Sequence, residues 1–136
     1  MIALWHVLEH LHDLDDYLRR IKTSLEDDGV LIVAVPNYCS YDAGYYQSHW
    51  AAYDVPRHLY HFTCESMTDL LKRYGLAVTT IRRLPFDAFY VSMLSEKYQE
   101  GFLARGLWIG LISYLQALIN VRRSSSIIYI AGHTDS

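Results

Sequence analysis

An α/β architecture is what the spacing of apolar residues in this chain predicts. Residues 30–35 (Val-Leu-Ile-Val-Ala-Val) form an uninterrupted apolar run of strand length, closed by Pro36-Asn37. Ahead of it, Leu11, Leu14, Leu18, Ile21 and Leu25 recur at alternating steps of three and four residues; after it, Cys64, Met67, Leu71 and Tyr74 do the same. An apolar strand set between two amphipathic helices belongs inside a parallel sheet with helical crossovers.

The elements follow in order. Residues 2–7 read as a strand buried on both faces, with nothing upstream to pair with it. On that reading the chain opens inside a doubly wound domain and is its C-terminal half. Asp13 is placed to cap the first helix, with Asp15 and Asp16 in the first turn and Arg19, Arg20 and Lys22 beyond, an order that complements the helix dipole. Gly29 is the expected stop. Residues 36–62 form a long irregular stretch dense in Tyr, Trp and His, which reads as a functional loop rather than disorder. Thr63 is the cap of the second helix, Glu65 sits in its first turn, and Gly75 ends it. Residues 76–84 read as a strand, 89–99 and 103–120 as helices, and 126–132 as a closing strand. No linker interrupts this order, so residues 1–136 are expected to form a single partial domain with a helical insertion at 85–124.

Composition narrows the function. An apolar share of 51% fits a globular protein, and a net charge of −3 excludes the broad basic field that nucleic acid requires. Cys39 and Cys64 lack metal or redox spacing, which points to a reduced, cytoplasmic setting. Residues 107–119 are the only long apolar run and are shorter than the roughly 20 residues a transmembrane helix needs. Their lack of charge predicts burial against the sheet or a partner chain. The flanking Arg105, Arg122 and Arg123 keep a membrane-surface helix as the alternative.

Trp5-His6-Val7-Leu8-Glu9-His10-Leu11, the Asp-rich helix after it, and Gly29-Val30-Leu31-Ile32-Val33-Ala34-Val35-Pro36-Asn37 resemble the second half of class I S-adenosylmethionine-dependent methyltransferases. Asp54-Val55-Pro56-Arg57-His58-Leu59-Tyr60-His61-Phe62-Thr63, followed by a helix and Tyr74-Gly75-Leu76, extends the match toward the branch related to quinone-biosynthesis O-methyltransferases. The resemblance implies a partial Rossmann-like doubly wound sheet: the last four strands of a seven-stranded methyltransferase sheet, with a closing antiparallel hairpin and added helices. It makes residues 36–62 a substrate-side loop. Family members carry a Gly-rich loop after their first strand, and none of the seven glycines here forms such a cluster. Weak or absent cofactor binding by this chain alone is therefore expected.

Ligands of such sheets sit at the carboxyl ends of the strands. By resemblance Trp5, His6 and Val7 would face the methionine part of S-adenosylmethionine, with packing under the next helix as the plainer role for Trp5 and Val7. His58 is the best candidate for a general base, with His10 as a second, because an acceptor must lose a proton as the methyl group moves. His58 pinning its loop is the bland alternative, and pinning is the expected role of His61. Arg57 would hold an anionic group or join a surface ion pair. His6, Glu9 and His10 form a His-x-x-Glu-His pattern similar to the Glu-x-x-Glu-His metal site of some relatives, with His58 or His61 as a further ligand. His in place of the first Glu favours zinc, manganese or iron over magnesium. Tyr41, Tyr45, Tyr46, His49, Trp50 and Tyr53 would stack on a planar substrate or form an apolar lid.

Two functions compete. One is the C-terminal half of a methyltransferase acting on a small-molecule acceptor. The other is a non-catalytic binding module that homodimerises through its open strand or through the 103–120 helix.

Overall fold

A computed structural model describes residues 1–134. The four strands β1 (Ile2–Trp5), β2 (Leu31–Pro36), β3 (Leu76–Arg83) and β4 (Ser126–His133) form one mixed sheet in the order β1-β2-β4-β3. β1 pairs parallel with β2, from Ile2 opposite Leu31 to Trp5 opposite Ala34. β4 runs antiparallel to both of its neighbours. The antiparallel pairing of β3 with β4 is the expected closing hairpin.

Helix α1 (Leu14–Ser24) starts where Asp13 accepts a hydrogen bond from the Asp16 amide at 3.0 Å. Its stripe of Leu14, Leu18 and Ile21 packs on the sheet face made by Leu31, Val33, Val35, Ile127, Tyr129 and Ala131. The helix ends at Ser24, before the Gly29 expected to stop it; Gly29 instead closes a tight turn onto the Glu26 carbonyl at 2.7 Å. Helix α3 (Cys64–Arg73) covers the same face with Cys64, Met67 and Leu71. Thr63 and Ser66 cap it reciprocally, each side chain accepting the other's backbone amide. Gly75, at φ +70°, makes the left-handed exit.

The expectation that residues 2–7 form a strand buried on both faces is corrected. β1 ends at Trp5, and His6 turns left-handed at φ 52°. Ile2 and Leu4 pack on the core, while Ala3 and Trp5 face outward and Trp5 is 52% exposed. The reason is position: β1 is the edge strand, and no described helix lies over its outer face. An apolar sequence marks a strand but does not say which of its faces is covered.

Residues 36–62 are less irregular than expected. Asn37 ties their start to the segment before β4, its side-chain amide donating to the Arg122 and Ser124 carbonyls at 2.8 Å each. Ser40 then caps a short helix α2 (Tyr41–Tyr46), and two single 3-10 turns follow. Trp50 and Tyr46 are buried with Val91 and Ile109 in a second apolar cluster, so much of the aromatic loop is core rather than an open stacking face.

Between β3 and β4 lie α4 (Asp87–Tyr98) and α5 (Leu103–Ile119), antiparallel to one another by their short connection. α5 turns Gly106, Ile109, Gly110, Ser113 and Ala117 inward. A Cβ on Gly110 would lie 2.8 Å from the Phe89 Cα, and one on Gly106 2.9 Å from the Met93 Cα, so the two backbones approach where only glycine fits. Of the two coverings expected for this helix, the sheet is corrected: its small residues pack on α4 and its leucines face out, the side a partner chain would have to cover. Among the described residues no helix is long and apolar enough to cross a membrane.

Candidate active-site cleft

Beyond the carboxyl ends of β1 and β2 lies a cleft of about 440 Å³, within the usual range of a small-molecule site. His6 and Pro36 come from the strand ends, Arg57 and His58 from the long loop, and Asp87, Tyr90 and Leu94 from α4. Backbone strain gathers here. His6 and Asp54 line the cleft with positive φ values of 52° and 39°, and Phe86, just before Asp87, has φ 68°. Such conformations in non-glycine residues cost energy and concentrate at working sites.

The motif after β1 is not an α-helix. His6 precedes a single 3-10 turn over Leu8–His10, and Val7 enters it 38% exposed. The Leu59 amide donates to the Glu9 carbonyl at 2.8 Å, which brings the loop carrying His58 onto this turn. His58 Nδ1 is 2.8 Å from the Ala52 carbonyl and His10 Nδ1 is 3.0 Å from the Arg57 carbonyl. A carbonyl can only accept, so each Nδ1 carries the hydrogen and each Nε2 is left with its lone pair. The two rings meet edge-on, with centroids 4.6 Å apart.

Glu9 sits beneath them, wholly buried. His6 Nδ1 lies 3.3 Å from its Oε1, and His58 Nε2 lies 3.9 Å from the same oxygen. Oε2 has no hydrogen-bond partner among the described residues. Of the sequence-derived residues, the fold thus brings one ligand atom each of Glu9, His10 and His58 within 4.8 Å of one another. His6 joins through Glu9 rather than as a member of that cluster. Trp5 and Val7 lie at the strand end but do not line the cleft. Arg57 pairs with Asp54 at 3.1 Å, and His61 is held by the Tyr53 carbonyl at 3.0 Å.

Sequence reasoning did not find Asp87. Burial pushes its carboxyl above the usual 3.8, against the opposing pull of the Ser126 hydroxyl. Its only sequence signal is an acid in the first turn of a helix, which is common.

The hydrogen bond to Glu9 raises the His6 pKa above its ordinary 6.5, against burial, with Asp87 adding to the rise. The folded state favours the protonated ring, so this stabilisation is complete below pH 6.5 and fades as pH climbs through the raised value. His6→Gln is expected to flatten the fall in melting temperature on the alkaline side of pH 6.5. Superimposable melting profiles for the two proteins would show that the pair is not charged.

A family model described as a methyltransferase domain matches residues 1–81. The chain belongs to that family. No curated protein matches it. Among solved structures, the methyltransferase domain is similar to the (4+2)-cyclase SpnF at 16% identity and TM-score 0.55, covering 98% of this chain and 49% of that one. It is also similar to an S-adenosylmethionine-dependent methyltransferase from Mesorhizobium loti (14%, TM-score 0.49, 95% and 58% covered). A third similar structure is loganic acid methyltransferase with SAH (11%, TM-score 0.34, 79% and 43% covered). The chain spans about half the length of these structures. The SpnF likeness shows a shared Rossmann-like fold, and a cyclase on that fold means that the fold alone does not fix the reaction.

Proposed function

We propose that this methyltransferase domain forms the acceptor side of an S-adenosylmethionine-dependent methyltransferase site for a small molecule. The observation that carries the reading is the pair His10 and His58, each held by a carbonyl at Nδ1 and free at Nε2, beside a strained cleft at the strand ends. Bound S-adenosylmethionine would supply a methyl group from its sulfonium, the acceptor gaining a C–O or C–N bond as the C–S bond breaks. His58 Nε2 takes the proton that the acceptor hydroxyl or amine gives up, with His10 as the second base. Trp5, His6 and Val7 present the end of β1 to the methionine part of the donor. Kinship with the quinone-biosynthesis O-methyltransferases is supported by the Val-Leu-Glu-His turn and the strand ending in Pro-Asn. The open edge of β1 is the route by which further strands, or a second copy, would pair.

Because none of the seven glycines clusters into the Gly-rich loop expected of the family, these 136 residues bind the donor weakly. Titration with S-adenosylmethionine followed by NMR is expected to give millimolar affinity and to shift the amides of Trp5, His6 and Val7. Micromolar affinity would overturn the half-site reading. No shift at saturating donor would overturn the donor assignment.

A second reading is favoured by the orphaned Glu9 Oε2. Buried oxygens without partners are rare, and three ligand atoms within 4.8 Å fit a divalent cation held by Glu9, His10 and His58. Two imidazoles and one carboxylate suit zinc, manganese or iron. A bound cation would polarise the acceptor oxygen as a Lewis acid. In this reading His58 is a ligand rather than a base. In the same NMR titration, zinc is expected to shift the ring signals of His10 and His58 together; if neither moves, the cation reading fails.

A further inference from the structure

Helix α5 is built inside out. Its inward face is Gly106, Gly110, Ser113 and Ala117 with Ile109, while Leu103, Leu107, Trp108, Leu111, Leu115, Leu118 and Ile119 stand outward, from 37% to 89% exposed. These side chains share one side of a helix about 25 Å long. They leave several hundred Å² of contiguous apolar surface open, at or beyond the largest patch of an ordinary monomer. Phe102, at 76%, and Tyr98, at 52%, extend the aromatic fringe begun by Trp108.

Two features identify what covers this face. The only hydrogen-bonding groups on the outward side, among the described residues, are the Trp108 indole and the half-buried Tyr114 hydroxyl, whereas protein interfaces place a polar contact every 100–200 Å² or so and set a polar rim around their core. Within its own stretch of chain the charges are also of one sign, with Glu100 just before it. Residues 101–134 contain Arg105, Arg122 and Arg123 and no acidic residue, although the whole chain has 15. Arg105 is held by Glu96 and Arg122 by Glu65, while the Arg123 guanidinium, among the described residues, donates to the Cys39 carbonyl at 3.5 Å and joins no ion pair. A leucine face with an aromatic fringe and basic residues at its ends matches a helix lying in the plane of a lipid interface. At 17 residues, with its other face packed on α4, α5 is too short to span a bilayer.

We propose that the outward face of α5 seats this protein on an anionic lipid surface. The face adjoins the reaction cleft: a second cleft reaching Leu103 shares Tyr90 and Leu94 with it. The proposal does not depend on the methyl-transfer reading.

Co-sedimentation of the chain with vesicles of phosphatidylglycerol and phosphatidylcholine, and with phosphatidylcholine alone, tests it. Binding is expected to be tighter on the anionic vesicles and to weaken with salt. The double variant Leu107→Glu, Leu115→Glu should lose tenfold or more in affinity for both. Both side chains are half exposed, so the fold should be kept, and an unchanged thermal melt checks this. Arg122→Gln with Arg123→Gln should lose about fivefold per arginine on anionic vesicles only. Trp emission should shift to shorter wavelength on binding, and most of that shift should vanish in Trp108→Phe. Absence of vesicle binding, or binding indifferent to the leucine substitutions, would overturn the proposal. So would a dimer in sedimentation equilibrium that the same substitutions dissolve while vesicles go unbound, which would assign the face to a second copy.

Discussion

Replacing His58 by alanine is expected to slow methyl transfer about 10²- to 10⁴-fold, the usual share of a positioned general base. The loss should fall on kcat rather than on KM for the donor, because His58 comes from the long loop and not from the β1 end that the proposal gives to the donor. The imidazole is already oriented. Its Nδ1–H is spent on the Ala52 carbonyl at 2.8 Å, and its side chain is only 10% exposed, so the ring is held in one orientation beside the cleft. Transfer of a labelled methyl group, in a preparation that turns over, reads both quantities. An unchanged rate would exclude proton transfer by this residue.

Asp42→Ala should be the most damaging substitution for stability away from the cleft. Asp42 is wholly buried and accepts hydrogen bonds from Trp50 Nε1 at 2.7 Å, Ser113 Oγ at 2.6 Å and Ser125 Oγ at 2.8 Å. One carboxylate thus joins α2, the aromatic loop, α5 and the approach to β4. Alanine strands three buried donors, each costing about 1–3 kcal/mol. The two hydroxyls can rotate to other acceptors, so a total of about 4 kcal/mol is expected. For a chain of this size that lowers the melting temperature by roughly 10–15 °C. Asp28→Ala, on an exposed turn, is the control and should stay within about 0.5 kcal/mol. A melt of Asp42→Ala that coincides with the parent would show that the network carries no net stability.

Local chemistry was legible in the sequence. Asp13 and Thr63 announced helix starts because a short side-chain acceptor before an apolar stripe leaves few other readings. The run at 30–35 announced a central strand, and the motif after β1 directed attention to Glu9 and His10. Facing and long-range pairing were not legible. An apolar strand reads the same at an edge as in the middle, so the exposure of Trp5 was hidden. An all-apolar helix gives no contrast between its faces, so the small residues of α5 alone hinted at which side goes in. The meeting of His10 with His58 depends on the Leu59–Glu9 backbone bond, which no periodicity encodes. Asp87 looked like any first-turn acid until the fold put it beside His6.

The placement of β4 sets an order on the birth of this protein. β3 has no strand beside it until β4 arrives, because β4 lies between β2 and β3 and is separated from β3 by both α4 and α5. While the polypeptide is being synthesised, β2 and β3 therefore wait, each with a bare backbone edge, until β4 emerges. Chaperone dependence and loss to proteolysis should be concentrated in that interval.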